Sequence, residues 1–216
     1  MHSADHEVLH TALVWLEQRH RVMLATVTHT WGSSPCPVGC LMALRADGQV
    51  VGSVSGGCVE EDLLARLRAD ALNKSLPQVI HYGGDHTEHQ RFGIPCNGRL
   101  EIVLEVLHGT APLRKVLQVM ASRQMITRRL CLNTGEVSPH TASPDDVFSC
   151  DGNALSKVFE PAWQLLIISA VQVSHFLAEM AQALDYPVTV CDPRDEYRAA
   201  WGATGATLIR ACPMMQ

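Results

Sequence analysis

The chain has 216 residues, which suffices for one large domain or for one domain and part of a second. A hydrophobic content of 47% with 18% charged residues is typical of a globular protein and excludes an intrinsically disordered chain. The formal net charge of -5 provides no broad positive field, so we expect neither nucleic acid nor a membrane as a partner.

The N-terminal segment predicts a helix and no export signal. Apolar residues recur at helical spacing from Val8 to Leu16, which indicates an amphipathic helix ending near His20. Asp5 and Glu7 stand where a secretory signal would have a basic start followed by apolar residues. We therefore expect a cytoplasmic protein whose eight cysteines are reduced thiols rather than a disulfide framework.

A strand, a loop, a hairpin and a second helix are predicted next. The strand covers Val22 to Thr28, and a loop rich in Gly, Ser and Pro covers Trp31 to Gly39. Two apolar runs on either side of a turn ending at Gly48 predict a β-hairpin. After Gly56 and Gly57 the spacing of apolar residues becomes helical.

Further strands and a helix complete a mixed α/β N-terminal domain, which we assign to residues 1–132. The predicted elements are strands at Val79 to Tyr82, Leu100 to Leu107 and Ile126 to Leu132, and a helix at Leu113 to Met120. Residues 133–160 are rich in turn formers and are predicted to be a linker with short strands.

The C-terminal segment, residues 161–216, has the pattern of a βαβ unit in a parallel sheet. Apolar strands at Leu165 to Ile168 and Val188 to Cys191 flank a helix at Ser174 to Leu184. The predicted fold class is therefore α/β, with a short parallel segment after the mixed domain.

The sequence GSVSGGCVEED, Gly52 to Asp62, is the most informative segment. Gly56 and Gly57 form a tight turn and place Cys58 in the first turn of a helix, where free N–H groups and the helix dipole favour an anion and a thiolate. Alternatively, the glycines only shape the turn and Cys58 is a small buried residue. Glu60 either caps the helix or positions a ligand.

The sequence GSSPCPVG, Gly32 to Gly39, is a loop stiffened by two prolines. The hydroxyls of Ser33 and Ser34 are candidate donors to an oxyanion, although the loop is also compatible with an ordinary rigid turn. Cys36 and Cys40 have the spacing of half a zinc site, but the second close pair is missing, which disfavours structural zinc.

A third segment, FGIPCNGRLEIVLEVL, contains Cys96, Asn97 and Gly98 and leads into a strand. Together the three segments resemble the XdhC/CoxI family, which carries a GSSP-x-PVG loop, a GSVSGGCVE turn and a Cys-Gly-Gly loop before a strand. The chain departs from that pattern at Cys36, where arginine is common, and at Asn97, where the family has glycine.

The resemblance implies a chaperone that binds molybdenum cofactor, holds it for sulfuration and passes it to an apo-molybdoenzyme of the xanthine dehydrogenase type. A cysteine desulfurase is a further candidate partner, and a homodimer is expected because a short parallel sheet leaves an exposed edge. It implies no catalytic residue. The implied cofactor-binding residues are Gly32, Ser33, Ser34, Gly39, Ser55, Gly56, Gly57, Cys58, Glu60, Cys96 and Gly98, with Cys58 and Cys96 near the metal.

In the family the C-terminal segment resembles a Rossmann unit, here truncated. Ser169 and Val171 replace its first two glycines, so NAD(P) and FAD are not expected to bind, and Asp192 is interpreted as a helix cap rather than a ribose ligand. Two other functions remain open. One is a nucleotide-dependent oxidoreductase, and the other is a thiol-based sulfur carrier that uses Cys58.

Overall fold

The chain divides into two compact units, Met1–Pro161 and Ala162–Gln216. The structure is a computed structural model that describes residues 2–32, 34, 36–69, 72, 77–83, 99–143, 145–161, 163–184, 186–202 and 205–210. No helix within these ranges is long and apolar enough to cross a bilayer.

The first unit is built on a five-stranded antiparallel sheet. Its order is β3-β2-β1-β5-β4, so strands that are distant in sequence become neighbours. The predicted hairpin is confirmed as β2 and β3, and β1 extends further than predicted, through Trp31. The strands are β1 (Val22–Trp31), β2 (Leu41–Arg45), β3 (Val50–Gly52), β4 (Gln78–Tyr82) and β5 (Arg99–Val106).

Helices cover both faces of this sheet because successive residues of β1 and β2 are apolar and point to opposite faces, as Met23 and Leu24 do. The helix α2 (Cys58–Arg68) packs Val59 and Leu63 on one face, against Met23 and Met42. The helices α1 (His2–Glu17) and α3 (Ala111–Ala121) pack on the other. The mixed α/β class predicted from the sequence is confirmed by this arrangement.

Position 52, at the end of β3, accommodates only glycine. Its φ is +81°, and a Cβ atom there would lie 2.4 Å from the Leu41 carbonyl oxygen and 2.6 Å from Val8 Cγ2. Both contacts are shorter than van der Waals separation, so only glycine allows β3 to pass between β2 and α1.

A second sheet includes most of the segment predicted above to be a linker. Its order is β7-β6-β9-β8, and both neighbours of β6 are antiparallel to it. Residues 133–160 thus belong to the first unit, because β9 and β7 complete the sheet that β6 begins. The strands are β6 (Ile126–Cys131), β7 (Val137–Thr141), β8 (Ser149–Cys150) and β9 (Ala154–Phe159).

The second unit is a three-stranded parallel sheet with a helix after each of its first two strands. Its order is β10-β11-β12, and the pairs β10–β11 and β11–β12 are both parallel. Ala178 and Ala181 of α4 pack against Ile167 and Val190 of the sheet. The elements are β10 (Leu165–Ile168), α4 (Gln172–Ala183), β11 (Val188–Cys191), α5 (Asp195–Ala199) and β12 (Thr207–Ile209).

Candidate functional site

The turn between β3 and α2 is organised by the carboxylate of Glu60. One oxygen, Oε1, accepts hydrogen bonds from the backbone N–H groups of Val54, Ser55 and Gly56, at 2.9, 2.9 and 3.2 Å. The other, Oε2, accepts one from the N–H group of Gly57 at 2.9 Å. Glu60 is therefore a capping residue that holds four consecutive backbone donors.

Serine hydroxyls complete the hydrogen bonding of this carboxylate. Ser53 Oγ donates to Oε1 at 2.6 Å, and Ser55 Oγ donates to Oε2. Burial alone would raise the pKa of Glu60, but the hydrogen bonds from Ser53, Ser55 and the turn lower it to about 2. The carboxylate is thus charged at neutral pH, although only 9% of the residue is exposed.

The Glu60 network changes the interpretation of the glycine turn. Gly56 and Gly57 have φ values of +92° and +147°, which glycine tolerates and which turn their N–H groups inward. Those groups are the donors predicted above to favour an external anion. In this structure they bind the chain's own carboxylate, so an additional anion would have to displace Glu60.

The loop before β2 is held by its own hydrogen bonds and by a buried lysine. The hydroxyl of Ser34 donates to the Cys36 carbonyl oxygen at 2.9 Å, so it is not directed at an external oxyanion. Gly39 has a φ of +90°, and its carbonyl oxygen accepts a 2.7 Å hydrogen bond from Lys157 Nζ. Lys157 also lies 2.9 Å from the carboxylate of Asp5.

The structure brings the first two sequence segments together. Cys36 Sγ of the loop lies 3.8 Å from Ser53 Oγ, and Ser53 also donates to Glu60. One connected set of side chains therefore runs from the loop thiol through a hydroxyl to the carboxylate beneath the turn. We call Cys36, Ser53, Ser55 and Glu60 the loop–turn network.

Several predicted site residues cannot be placed. Ser33, Cys96 and Gly98 lie outside the described residues. Cys58 begins α2, as predicted, but its side chain is likewise outside the described part of the chain. Among the remaining candidates, Gly32 is exposed directly after β1 with a φ of +79°.

Asp62, two residues after Glu60 on α2, has a structural role. Its Oδ2 accepts a 3.0 Å hydrogen bond from the Tyr82 hydroxyl and lies 2.6 Å from Arg66 Nε. The three acidic residues that begin the helix thus differ: Glu60 holds the turn, Asp62 joins α2 to β4, and Glu61 is exposed.

In the second unit, the carboxylate of Asp192 accepts hydrogen bonds from neighbouring groups on both of its oxygens. Its carboxylate accepts hydrogen bonds from the N–H groups of Ala170 (2.8 Å) and Arg194 (3.0 Å) and from the Arg194 guanidinium (2.9 and 2.8 Å). The guanidinium, followed by the backbone hydrogen bonds, holds the pKa of Asp192 far below its ordinary value. The helix-cap interpretation needs correction, because the residue before α5 is Arg194 and Asp192 instead joins the turns after β10 and β11.

The XdhC and CoxI family model matches residues 15–83, which include the loop and the glycine turn that the structure brings together. Residues 15–83 belong to the XdhC and CoxI family. The resemblance drawn from the motifs is thereby confirmed for this part of the chain, and the loop–turn network is formed entirely by residues of the XdhC and CoxI segment.

Curated proteins similar to this chain include one from Escherichia coli and one from Bacillus subtilis. The molybdenum cofactor insertion chaperone PaoD of Escherichia coli is 29% identical over 209 residues, which are 96% of this chain and 64% of PaoD. A Bacillus subtilis protein named as a probable xanthine dehydrogenase subunit is 34% identical over 101 residues, which are 44% of this chain and 30% of that protein. The chain thus spans less than two thirds of either relative.

A solved structure shares the fold. The crystal structure described as a xanthine dehydrogenase from Bacillus halodurans superposes with a TM-score of 0.72 and 22% identity, covering 98% of this chain and 69% of that one. The similarity of fold therefore extends beyond the matched segment into both units.

Some residues of the site were missed in the sequence. Ser53 lies within the motif, yet nothing in its spacing shows that its hydroxyl joins the loop to Glu60. Lys157 lies in the predicted linker, although a lysine inside an apolar run is a signal for a buried partner. Arg194 follows Asp192 by two residues, a spacing at which an arginine can return to the carboxylate.

Proposed function

We propose that this chain binds molybdenum cofactor and delivers it to an apo-molybdoenzyme of the xanthine dehydrogenase type. The observation that carries the proposal is the 3.8 Å contact between Cys36 and Ser53, which unites two motif loops in one place within the family segment. Similarity over 96% of the chain to a protein named as a molybdenum cofactor insertion chaperone supports the same function.

The residues of the site fit one end of such a cofactor better than the other. The cofactor would supply a molybdenum centre with sulfur ligands, for which thiol and hydroxyl groups are suitable neighbours. Its phosphate does not fit the glycine turn, because the Glu60 carboxylate already accepts those N–H groups and would repel a second anion. We infer that the loop–turn network faces the metal end and that other residues hold the phosphate. The family resemblance, rather than the described structure, assigns Cys58 and Cys96 to the metal end.

We also propose that the bound cofactor is sulfurated before delivery, with a cysteine desulfurase as the sulfur donor. In this step a passive binder only presents the cofactor to the desulfurase, whereas a sulfur carrier would take the sulfur onto Cys58 first. Trapping with an alkylating reagent at neutral pH, followed by mass spectrometry, would reveal a persulfide on Cys58 if the chain itself carries sulfur. Unmodified Cys58 after incubation with the desulfurase would leave only the binding function.

Binding and delivery can be tested separately. Anaerobic calorimetry with purified cofactor should give saturable binding, and the loaded chain should activate an apo-molybdoenzyme of the xanthine dehydrogenase type. The test variant is Ser53→Ala, within the loop–turn network. Its matched control is Ser138→Ala, because Ser138 is an exposed serine of β7 outside the network. Absence of saturable binding in the parent chain would contradict the proposal.

For the second unit we propose that NAD(P) and FAD do not bind. The carboxylate that would hold a ribose hydroxyl is already engaged by Arg194, and Val171 stands where the family has a glycine that lets a pyrophosphate approach. Titration with each dinucleotide should show no saturation at micromolar concentration. Micromolar affinity that is lost in Asp192→Ala would restore the oxidoreductase alternative.

We further propose that two copies of the chain pair through α4. Five large apolar side chains, spaced by one, three or four residues, form one stripe along this helix and its C-cap residue, and they are 42–74% exposed. A second copy is the favoured occupant because a two-fold axis covers both stripes at once. Sedimentation should show a dimer that Met180→Asp dissociates, and a parent monomer would contradict it. The stripe is Val173, Phe176, Leu177, Met180 and Leu184.

A further inference from the structure

Two cysteines of the loop before β2 meet across a tight turn. The N–H group of Cys40 donates to the Pro37 carbonyl oxygen at 3.1 Å, which folds the chain back between Cys36 and Cys40. The Cys36 thiol is near enough to Cys40 to contribute to raising the pKa of the Cys40 thiol. Cys40 is also fixed to β1, because its carbonyl oxygen accepts a 2.9 Å hydrogen bond from the Val27 N–H group. The turn therefore keeps the two cysteine side chains near each other.

The two thiols have different surroundings. Cys40 packs against the apolar core under α2. Burial raises the pKa of its thiol to about 11, with contributions from Cys36 and Asp5 and an opposing one from Lys157. Cys36 is half-buried and lies beside the Ser53 hydroxyl. Because Cys40 packs against the core and Cys36 does not, we expect an incoming reagent to attack Cys36 first.

We propose that Cys36 and Cys40 form a redox-active dithiol pair that low-molecular-weight disulfides convert to an intramolecular disulfide. Cys36 loses its proton to solvent and attacks one sulfur of the small disulfide, which releases one small thiolate. Cys40 then loses its proton and attacks the Cys36 sulfur, breaking the mixed disulfide and releasing the second thiolate. The protein loses two hydrogen atoms and two electrons pass to the small disulfide, which becomes two thiols.

Oxidation would act on the loop–turn network, since Cys36 is the member that contacts Ser53. A disulfide removes the Cys36 thiol proton and fixes its sulfur against Cys40, away from free contact with a ligand. This consequence for cofactor binding rests on the proposed function, whereas formation of the disulfide does not.

Peptide mapping of the full chain tests the pair directly. The chain is equilibrated with graded ratios of oxidised to reduced glutathione, alkylated and digested with trypsin. Residues 22–45 contain no lysine or arginine before Arg45, so one peptide carries both cysteines and no other. We expect this peptide to lose both alkylation sites and two hydrogen atoms, at ratios about tenfold more reducing than those that modify Cys150.

Three variants complete the experiment. Cys36→Ser and Cys40→Ser should each prevent the unalkylated peptide from forming, and Cys150→Ser should leave it unchanged. Two alkyl groups on the peptide at every ratio, or a disulfide from Cys36 to a cysteine outside it, would overturn the proposal. Stoichiometric zinc in the reduced chain that blocks alkylation of both residues would also overturn it. Each of these outcomes is read without measuring cofactor binding.

Discussion

The guanidinium of Arg128 donates two hydrogen bonds, of 2.8 and 2.7 Å, to the carboxylate of Glu105 inside the first unit. The residues are 4% and 1% exposed, and the pair joins β6 of the second sheet to β5 of the first. Glu105 is the second glutamate of the third sequence segment. Its observed role is to connect two sheets.

Removing one member of this pair should be far more costly than removing both. Arg128→Met leaves an unpaired buried carboxylate, so we expect the free energy of unfolding to fall by about 3–5 kcal/mol. The double variant Arg128→Met, Glu105→Leu should recover most of that loss. Denaturant unfolding followed by tryptophan fluorescence measures both, with Arg114→Met at the exposed pair with Glu17 as the control. Equal losses in the single and double variants would contradict the interpretation.

Glu60 should make the stability of the first unit depend on acidity. Its pKa of about 2 in the folded chain lies below its ordinary value of 4.5, so its stabilisation is complete above about pH 4.5 and is lost as pH falls towards 2. Glu60→Gln should remove that part of the slope of unfolding free energy against pH, on the order of 3 kcal/mol in total.

The control for this titration is Glu61→Gln, which changes an exposed residue of the same helical turn. We expect it to retain the slope of the parent chain between pH 4.5 and 2. If the two variants titrate alike, the hydrogen bonds to Glu60 do not stabilise its charged form.

Replacing Ser169 by glycine should stabilise the folded chain. Its φ of +94° is a conformation that side chains with a Cβ atom rarely adopt. Glycine removes this strain but loses more conformational entropy on folding than serine does. We expect the first effect to be larger, so Ser169→Gly should raise the unfolding free energy by about 1 kcal/mol. Ser169→Ala also removes the hydroxyl but keeps the strain. If alanine stabilises as much as glycine, the backbone is not the cause.

Cys58 should matter for cofactor binding and not for folding. Cys58→Ser is nearly isosteric at the first residue of α2, so the unfolding midpoint should change little while retention of molybdenum and pterin falls. Cys131→Ser, on β6, is the matched control. Metal analysis and pterin fluorescence of purified material measure retention. Equal retention in both variants would place the important thiol elsewhere.

The sequence predicts the local elements well because their signals are local. Helical spacing and the Gly56-Gly57 turn identify α2, which begins at Cys58 and ends at Arg68. The βαβ order predicts β10, α4 and β11, whose strands pair in parallel. Each of these predictions depends on residues within about one element length of each other.

The long-range relationships could not be read in the same way. The turn formers of residues 133–160 predict a linker, yet this segment includes β9. The partners of its buried Lys157, Asp5 and the Gly39 carbonyl oxygen, are more than a hundred residues away in sequence. The return of Glu60 to the turn is similarly invisible, because an acidic first helical turn looks the same whether its side chains face solvent or backbone. Both cases depend on partners that only the folded chain brings together.

The hydrogen bond from Lys157 to Gly39 has a consequence for the order in which the site is completed during synthesis. Its two residues are 118 positions apart in the chain. At ribosomal rates of roughly 5–20 residues per second, Lys157 is added about 6–24 s after Gly39. Throughout that interval the loop with Cys36 and Cys40 lacks its hydrogen bond from Lys157. Its thiols are therefore exposed to oxidants before β9 can hold the loop in place.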